Sequence, residues 1–254
     1  MIPPSFVITL KDNLGKQEIA LNEVGIYPEI FKGVDGRKDE YKYHEDRISN
    51  FCNVLCTKSI KGCGLSHILL NEKIYKMGIP IALIFEDDAY PIDGLDIGYE
   101  IDKVLQEVPD DWEIIRLHCD TFCKDGTNSI EAPMPMFNGS TAAYLVNAQS
   151  AKKISETLLN THIDLQQNVS FKIYKTKRNV FWTDESTSTN STKQKSWISP
   201  LYNIMFPITS GEKTWDIVLS FPVFVIPFTN IGINSQHIIN AFLITLLLVY
   251  VLKK

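Results

Sequence analysis

Lys61-Gly-Cys-Gly-Leu-Ser-His67, then a helical stretch, then Ile81-Ala-Leu-Ile-Phe-Glu-Asp-Asp-Ala89 is the part of the chain whose reading decides the fold. The apolar run from Ile81 ends abruptly in Glu86, Asp87 and Asp88, which reads as a buried strand delivering three carboxylates to the edge of a sheet. Like charges a few ångströms apart raise one another's pKa unless a cation or hydrogen-bond donors compensate them. A hard divalent ion, Mg²⁺ or Mn²⁺, does so with one or two carboxylates plus phosphate oxygens of a substrate. A solvated acidic turn is the alternative reading of these three residues alone.

Working outward, Leu65, Ile68, Leu69 and Tyr75 fall near helical spacing, and Gly78 and Pro80 supply a stop, so a helix is predicted from Cys63 to Met77. Gly62 and Gly64 precede that helix, where a close backbone approach or a helix N-terminus facing an anion would sit. His67 and Asn71 share a face of it separate from Leu65. Phe6-Val-Ile-Thr-Leu10 reads as a first buried strand, followed by a helix-compatible stretch to about Val24, and Gly33-Val-Asp-Gly36 as a loop before a solvated segment from Arg37 to Arg47. Asp110-Asp-Trp-Glu-Ile-Ile-Arg-Leu-His118 reads as a turn and a strand. Ser140-Thr-Ala-Ala-Tyr-Leu-Val146 reads as another, with Asn147 capping a helix to about Leu159. Strands alternating with helices in this rhythm predict an α/β sandwich with a mainly parallel central sheet, whose ligands bind beyond the carboxyl ends of the strands.

The chain has 254 residues, enough for one domain of fair size or a catalytic domain with an appendage. A net charge of -5 without a basic tract argues against nucleic acid as a partner. Five cysteines are too few and too odd in number for a disulfide framework. The spacings Cys52-x3-Cys56 and Cys119-x3-Cys123, with His67 or His118 nearby, permit a zinc site, and buried reduced thiols are the blander reading. The N-terminal segment lacks the pattern of a signal peptide, so a cytoplasmic catalytic domain is expected. Sequons at Asn138, Asn168 and Asn190 are short enough to arise by chance.

Thr183 to Gln194 is a polar tract of Ser, Thr, Asn and Lys, read as a loop or linker, and the α/β domain is placed at 1–200. The region 201–254 is apolar. It holds one run from Ile217 to Phe228 and a second from Ile238 to Leu252, with a turn offered by Asn230, Gly232 and Asn234. The runs suit a shallow hairpin or a tail anchor at a membrane, with Lys253 and Lys254 at the interface, although the second is short for a spanning helix. A buried C-terminal helix or a dimer contact is the alternative.

Gly62-Cys-Gly-Leu-Ser-His67 followed by Phe85-Glu-Asp-Asp88 resembles the pattern of glycosyltransferase family 25, that of the lipooligosaccharide and collagen galactosyltransferases. Gly33-Val-Asp-Gly36, Asp111-Trp-Glu-Ile-Ile115, Gly139-Ser-Thr-Ala-Ala-Tyr144 with Ala151-Lys-Lys153, and His162-Ile-Asp164 add to the likeness, which runs from about Phe6 to about Asp184. The resemblance implies a GT-A-like fold binding a UDP-sugar at the carboxyl edge of the sheet, with Mn²⁺ (or Mg²⁺) bridging the diphosphate to the acidic motif. Asp88 is then the first metal ligand and Glu86 the second, with Gly64, Ser66, His67 and Asp87 lining the nucleotide; for Ser66 and His67, bracing the loop beneath it is the other role considered. It also implies inversion, hence a base for the acceptor hydroxyl, for which Asp164 and Asp184 are the candidates. A glycan, a lipid-linked saccharide or a hydroxylated side chain would be the acceptor. Relatives carry arginines after the first strand where this chain has only Lys11 and Lys16, which bears on donor affinity. A membrane-attached nucleotide-sugar-binding protein without turnover is the rival reading.

Overall fold

The computed structural model describes residues 2–118, 130–131, 140–176, 178–184, 222–225, 232–234 and 241–242. The chain divides into two compact units, residues 1–196 and 197–254. The first opens with β1 (Ser5–Thr9), α1 (Lys16–Glu23) and β2 (Glu29–Lys32), then 3₁₀ turns at Gly36–Lys38 and Glu40–Arg47. It continues through α2 (Asn50–Leu55), α3 (Lys58–Lys76), β3 (Ile81–Glu86), β4 (Ala89–Pro91), α4 (Ile97–Glu107), β5 (Ile114–Arg116) and β6 (Ile130–Glu131). It ends with β7 (Ala143–Asn147), α5 (Ala148–Ser155), α6 (Ile163–Ser170), β8 (Ile173–Thr176) and β9 (Phe181–Thr183).

Seven strands form the central sheet in the order β2-β1-β3-β7-β5-β8-β6. Strands β1, β2, β3, β5 and β8 run the same way, and β7 and β6 run against them. The mainly parallel α/β sheet expected from the alternation of strands and helices is thus present, with β7 inserted in reverse. Because β7 is antiparallel to β3, pairing Phe85 with Ala143, the residues that lead into β7 lie beside the carboxyl end of β3. A parallel β7 would have carried them to the opposite edge of the sheet.

The apolar character of β3 follows from burial on both faces. Ala82 and Ile84 pack with Leu65, Ile68 and Ile74 of α3 and Ile154 of α5, while Leu83 and Phe85 pack with Leu21 of α1 and Ile101 and Val104 of α4. Alternating residues thus serve opposite sides of one strand. A separate antiparallel ribbon of β4 and β9 pairs Tyr90 with Trp182, whose rings stack 5.1 Å apart.

Three expectations are corrected. Helix α3 begins at Lys58, five residues before the predicted start, because the Thr57 hydroxyl accepts from the Ile60 amide and caps it there. Gly62 and Gly64 therefore lie inside the helix rather than ahead of it. Cys52 and Cys56 form a disulfide, where the odd cysteine count favours free thiols. Helix α5, capped by the Asn147 side chain on the Ser150 amide, ends at Ser155 and not near Leu159.

In the second unit Pro222–Val225 (β10) pairs antiparallel with Gly232–Asn234 (β11), so Gly232 and Asn234 are strand residues where a turn was expected. Among the described residues no helix is long and apolar enough to cross a membrane. All of the second apolar run except Ala241 and Phe242, the polar tract after Asp184, and Cys119 and Cys123 lie outside the described residues.

Candidate active site

The carboxyl end of β3 carries Glu86, and the turn into β4 carries Asp87 and Asp88. The Gln17 side-chain amide of α1 fixes this turn from beneath, donating to the carbonyls of Glu86 and Ala89 at 2.7 Å each. Around it the chain assembles a polar cluster from distant segments.

Glu86 receives the hydroxyl of Thr141, and its Oε1 lies 3.2 Å from Nε2 of His67. Burial alone pushes the Glu86 carboxyl up, but the hydrogen bond and charge of His67, with Thr141, outweigh it and hold the group below its ordinary value. His67 is 1% exposed, and its Nδ1 meets the hydroxyl of Tyr144 at 3.0 Å. The Thr141 hydroxyl also contacts Asp164, whose Oδ1 accepts from the Thr141 amide at 3.1 Å. One hydroxyl has one hydrogen, so it serves a single carboxylate at a time, while the Thr141 amide remains for Asp164 and His67 for Glu86. Asp164 itself sits in the first turn of α6 and is not its cap, which is His162.

Asp88 is shifted in the opposite direction to Glu86. Its carboxyl is pushed up to about 7, first by burial and then by the charges of Glu86 and Asp87. Its Oδ1 is buried with no hydrogen-bond partner. Its carbonyl accepts the Asp184 amide at 2.8 Å, which ties the end of β9 to the acid turn. Asp87 accepts from Thr9 at 2.7 Å and pairs with Lys11 at 3.2 Å. The Cys63 thiol is pushed well up by burial and then by the charges of Glu86, Asp164 and Asp88.

Residues 2–167 match the family described as glycosyltransferase family 25 (LPS biosynthesis protein). The chain belongs to glycosyltransferase family 25. It is accordingly a glycosyltransferase, and the matched span holds Glu86, Asp87, Asp88, Thr141 and Asp164 but not Asp184. Among curated proteins none matches the sequence. Two solved structures similar to it are A197 from STIV, with 10% identity over 73% of this chain and 87% of that one, and a glycosyltransferase involved in the glycosylation of the major capsid of PBCV-1, with 10% identity over 74% and 95%. The TM-score is 0.40 for each.

For a family 25 enzyme the arrangement sorts the residues singled out by sequence. Glu86, Asp88 and Asp164 are brought together, and Asp184 reaches the cluster through its backbone. A Cβ on Gly64 would lie 2.3 Å from Leu159, so the missing side chain makes room for that packing. Ser66 is buried with its hydroxyl donating to the Gly62 carbonyl and accepting the Val34 amide, which fastens the Gly33–Gly36 loop to α3, a bracing role of the kind considered for it from sequence. His67 meets Glu86 through Nε2 and Tyr144 through Nδ1. Asp87 is engaged with Thr9 and Lys11, so it secures the end of β1 beside the site.

Asp88 presents one buried carboxylate oxygen without a hydrogen-bond partner, the kind of ligand a hard divalent cation takes, and Glu86 stands two residues before it. Thr141, Thr9, Gln17 and Tyr144 were not singled out individually as site residues by sequence. Only the Gly139–Tyr144 block hinted at two of them.

A pH dependence follows from Asp88. Its carboxyl titrates near 7 when folded against an ordinary 3.8, so between those values the folded chain holds a proton that the unfolded chain has lost. This group's contribution to stability therefore falls as pH rises through that window, and the destabilisation is complete above it. A cation bound at Asp88 must displace the proton. Its affinity should rise by up to about tenfold per pH unit towards pH 7 and then level off. Thermal melts with and without Mn²⁺ check this: the gain in melting temperature should be larger at pH 8 than at pH 5.5, and an equal gain would contradict it.

Proposed function

We propose that this family 25 enzyme moves a hexose, galactose or glucose, from a UDP-sugar to a hydroxyl of a glycan, lipooligosaccharide or hydroxylated protein side chain, with inversion and on a GT-A-like plan. The observation that carries the reading is the buried, unpartnered Asp88 Oδ1 in the turn that follows Glu86 at the carboxyl end of β3. Asp88 and Glu86 would hold Mn²⁺ or Mg²⁺. Such an ion neutralises charge developing on a departing diphosphate.

The chain's own residues do the rest. His67 and Thr141 fix the rotamer of Glu86, and Gln17 fixes the turn that presents Asp88. Lys11, already paired with Asp87, balances part of the acid charge there. Asp164 and Asp184 are the two candidates for the base that takes the acceptor proton as its oxygen attacks the anomeric carbon. Asp164 is held rigidly by Thr141, whereas Asp184 follows the ribbon strand that carries Trp182 against Tyr90.

Incubating the full chain with Mn²⁺ and a panel of labelled nucleotide sugars tests the proposal. Release of uridine diphosphate from one UDP-hexose is expected, with loss of about 10²-fold or more when the true base is changed in Asp164→Asn or Asp184→Asn. No turnover of any donor, with or without metal, would contradict it.

A further inference from the structure

The site contains a second kind of ligand set, of which the proposed sugar-nucleotide chemistry uses only Glu86 as a metal ligand. Cys63, His67 and Glu86 each offer a donor atom, and these atoms lie within 4.8 Å of one another. Cys63 and His67 are four residues apart on α3 and so share a face of the helix, and Glu86 meets them from the end of β3. We propose that these three side chains bind a thiophilic divalent cation, zinc above all, at a position separate from the oxygen site at Asp88.

The supporting shell is already built. Zinc takes thiolate, imidazole and carboxylate together, and three protein ligands leave a fourth position for water or substrate. A metal-binding imidazole generally has its other nitrogen fixed by a hydrogen-bond partner. Here Nδ1 of His67 meets the Tyr144 hydroxyl at 3.0 Å, and that hydroxyl also accepts the Asn71 amide at 3.3 Å. Asn71 in turn donates to the His67 carbonyl at 2.8 Å. The ring is thereby held with Nε2 directed at Glu86, and Thr141 orients the carboxylate from its other side. Manganese and magnesium, which favour oxygen, have no reason to prefer a thiol over the acids at Asp88.

Glu86 belongs to both sets. If the proposed function holds, zinc at the thiol site removes an oxygen from the manganese set, and zinc opposes manganese in the transfer reaction.

Titrating the full chain with Co²⁺ tests the site independently of turnover, because a thiolate bound to cobalt gives a near-ultraviolet charge-transfer absorption. Wild type and a Cys119→Ser/Cys123→Ser variant should both show that absorption at equimolar cobalt and lose it when Zn²⁺ is added. Cys63→Ser should lack it and bind zinc more weakly by at least about tenfold. No absorption in the wild type, or an absorption that persists in Cys63→Ser, overturns the proposal. Manganese-dependent transfer that remains intact in either case leaves the donor reading standing, so the two ideas fail separately.

Discussion

Asp88→Asn should lower kcat/KM for transfer from a UDP-hexose by about 10³-fold, the size expected when a principal electrostatic contact to the departing group is removed. The substitution keeps the shape of the side chain and removes only its charge. Because Asp88 is partly buried and its carboxyl is pushed up to about 7, the ionised form works against the fold above that pH. The variant should therefore melt at or above the wild-type temperature at pH 8 without cation, and should no longer gain stability from Mn²⁺. Loss of activity together with equal or higher stability separates a ligand from a structural acid. Activity within about tenfold of wild type would remove Asp88 from the machinery.

Gly62→Ala carries the largest expected effect on the fold. An alanine in a helix interior ordinarily gains about 1 kcal/mol over glycine. Here the added Cβ would stand 2.5 Å from the Val34 carbonyl and 2.8 Å from the Gly36 amide, both backbone atoms. The loop has no room to retreat, since Ser66 fastens Val34 to α3 and a Cβ on Gly36 would itself lie 1.9 Å from the Lys58 carbonyl. Overpacking against backbone should win by about 3 kcal/mol. For a unit of this size that corresponds to a fall in melting temperature of roughly 6–12 °C. Gly98→Ala in α4 is the control: its Cβ meets nothing closer than 3.5 Å, and a gain of about 0.5 kcal/mol is expected. An unchanged melting temperature in Gly62→Ala would show that the Gly33–Gly36 loop yields.

These two positions also mark what the sequence could and could not disclose. The acid turn was legible because a run buried on both faces must be apolar, and its sudden end in three carboxylates has no packing explanation. Glycines Gly62 and Gly64 misled for the same local reason: read by propensity they break a helix, whereas their missing side chains let α3 lie against the Gly33–Gly36 loop and Leu159. Thr57, which caps the helix, was not singled out in the sequence. Strand direction left no trace in periodicity, so the reversal of β7 was not legible, nor was its consequence that Thr141 stands beside Glu86. Thr141 reaches Glu86 across 55 positions and Asp164 across 23, a convergence that no local spacing records. The pairing of Cys52 with Cys56 was hidden by the remaining cysteines, which made the total odd.

Whether a cation held at Asp88 anchors the diphosphate of the donor is tested most directly by calorimetric titration of UDP into the full chain, with Mn²⁺ and then with a chelator. Binding that requires the cation and is lost in Asp88→Asn is expected. UDP affinity that is equal in the chelator and unaltered by Asp88→Asn would contradict it.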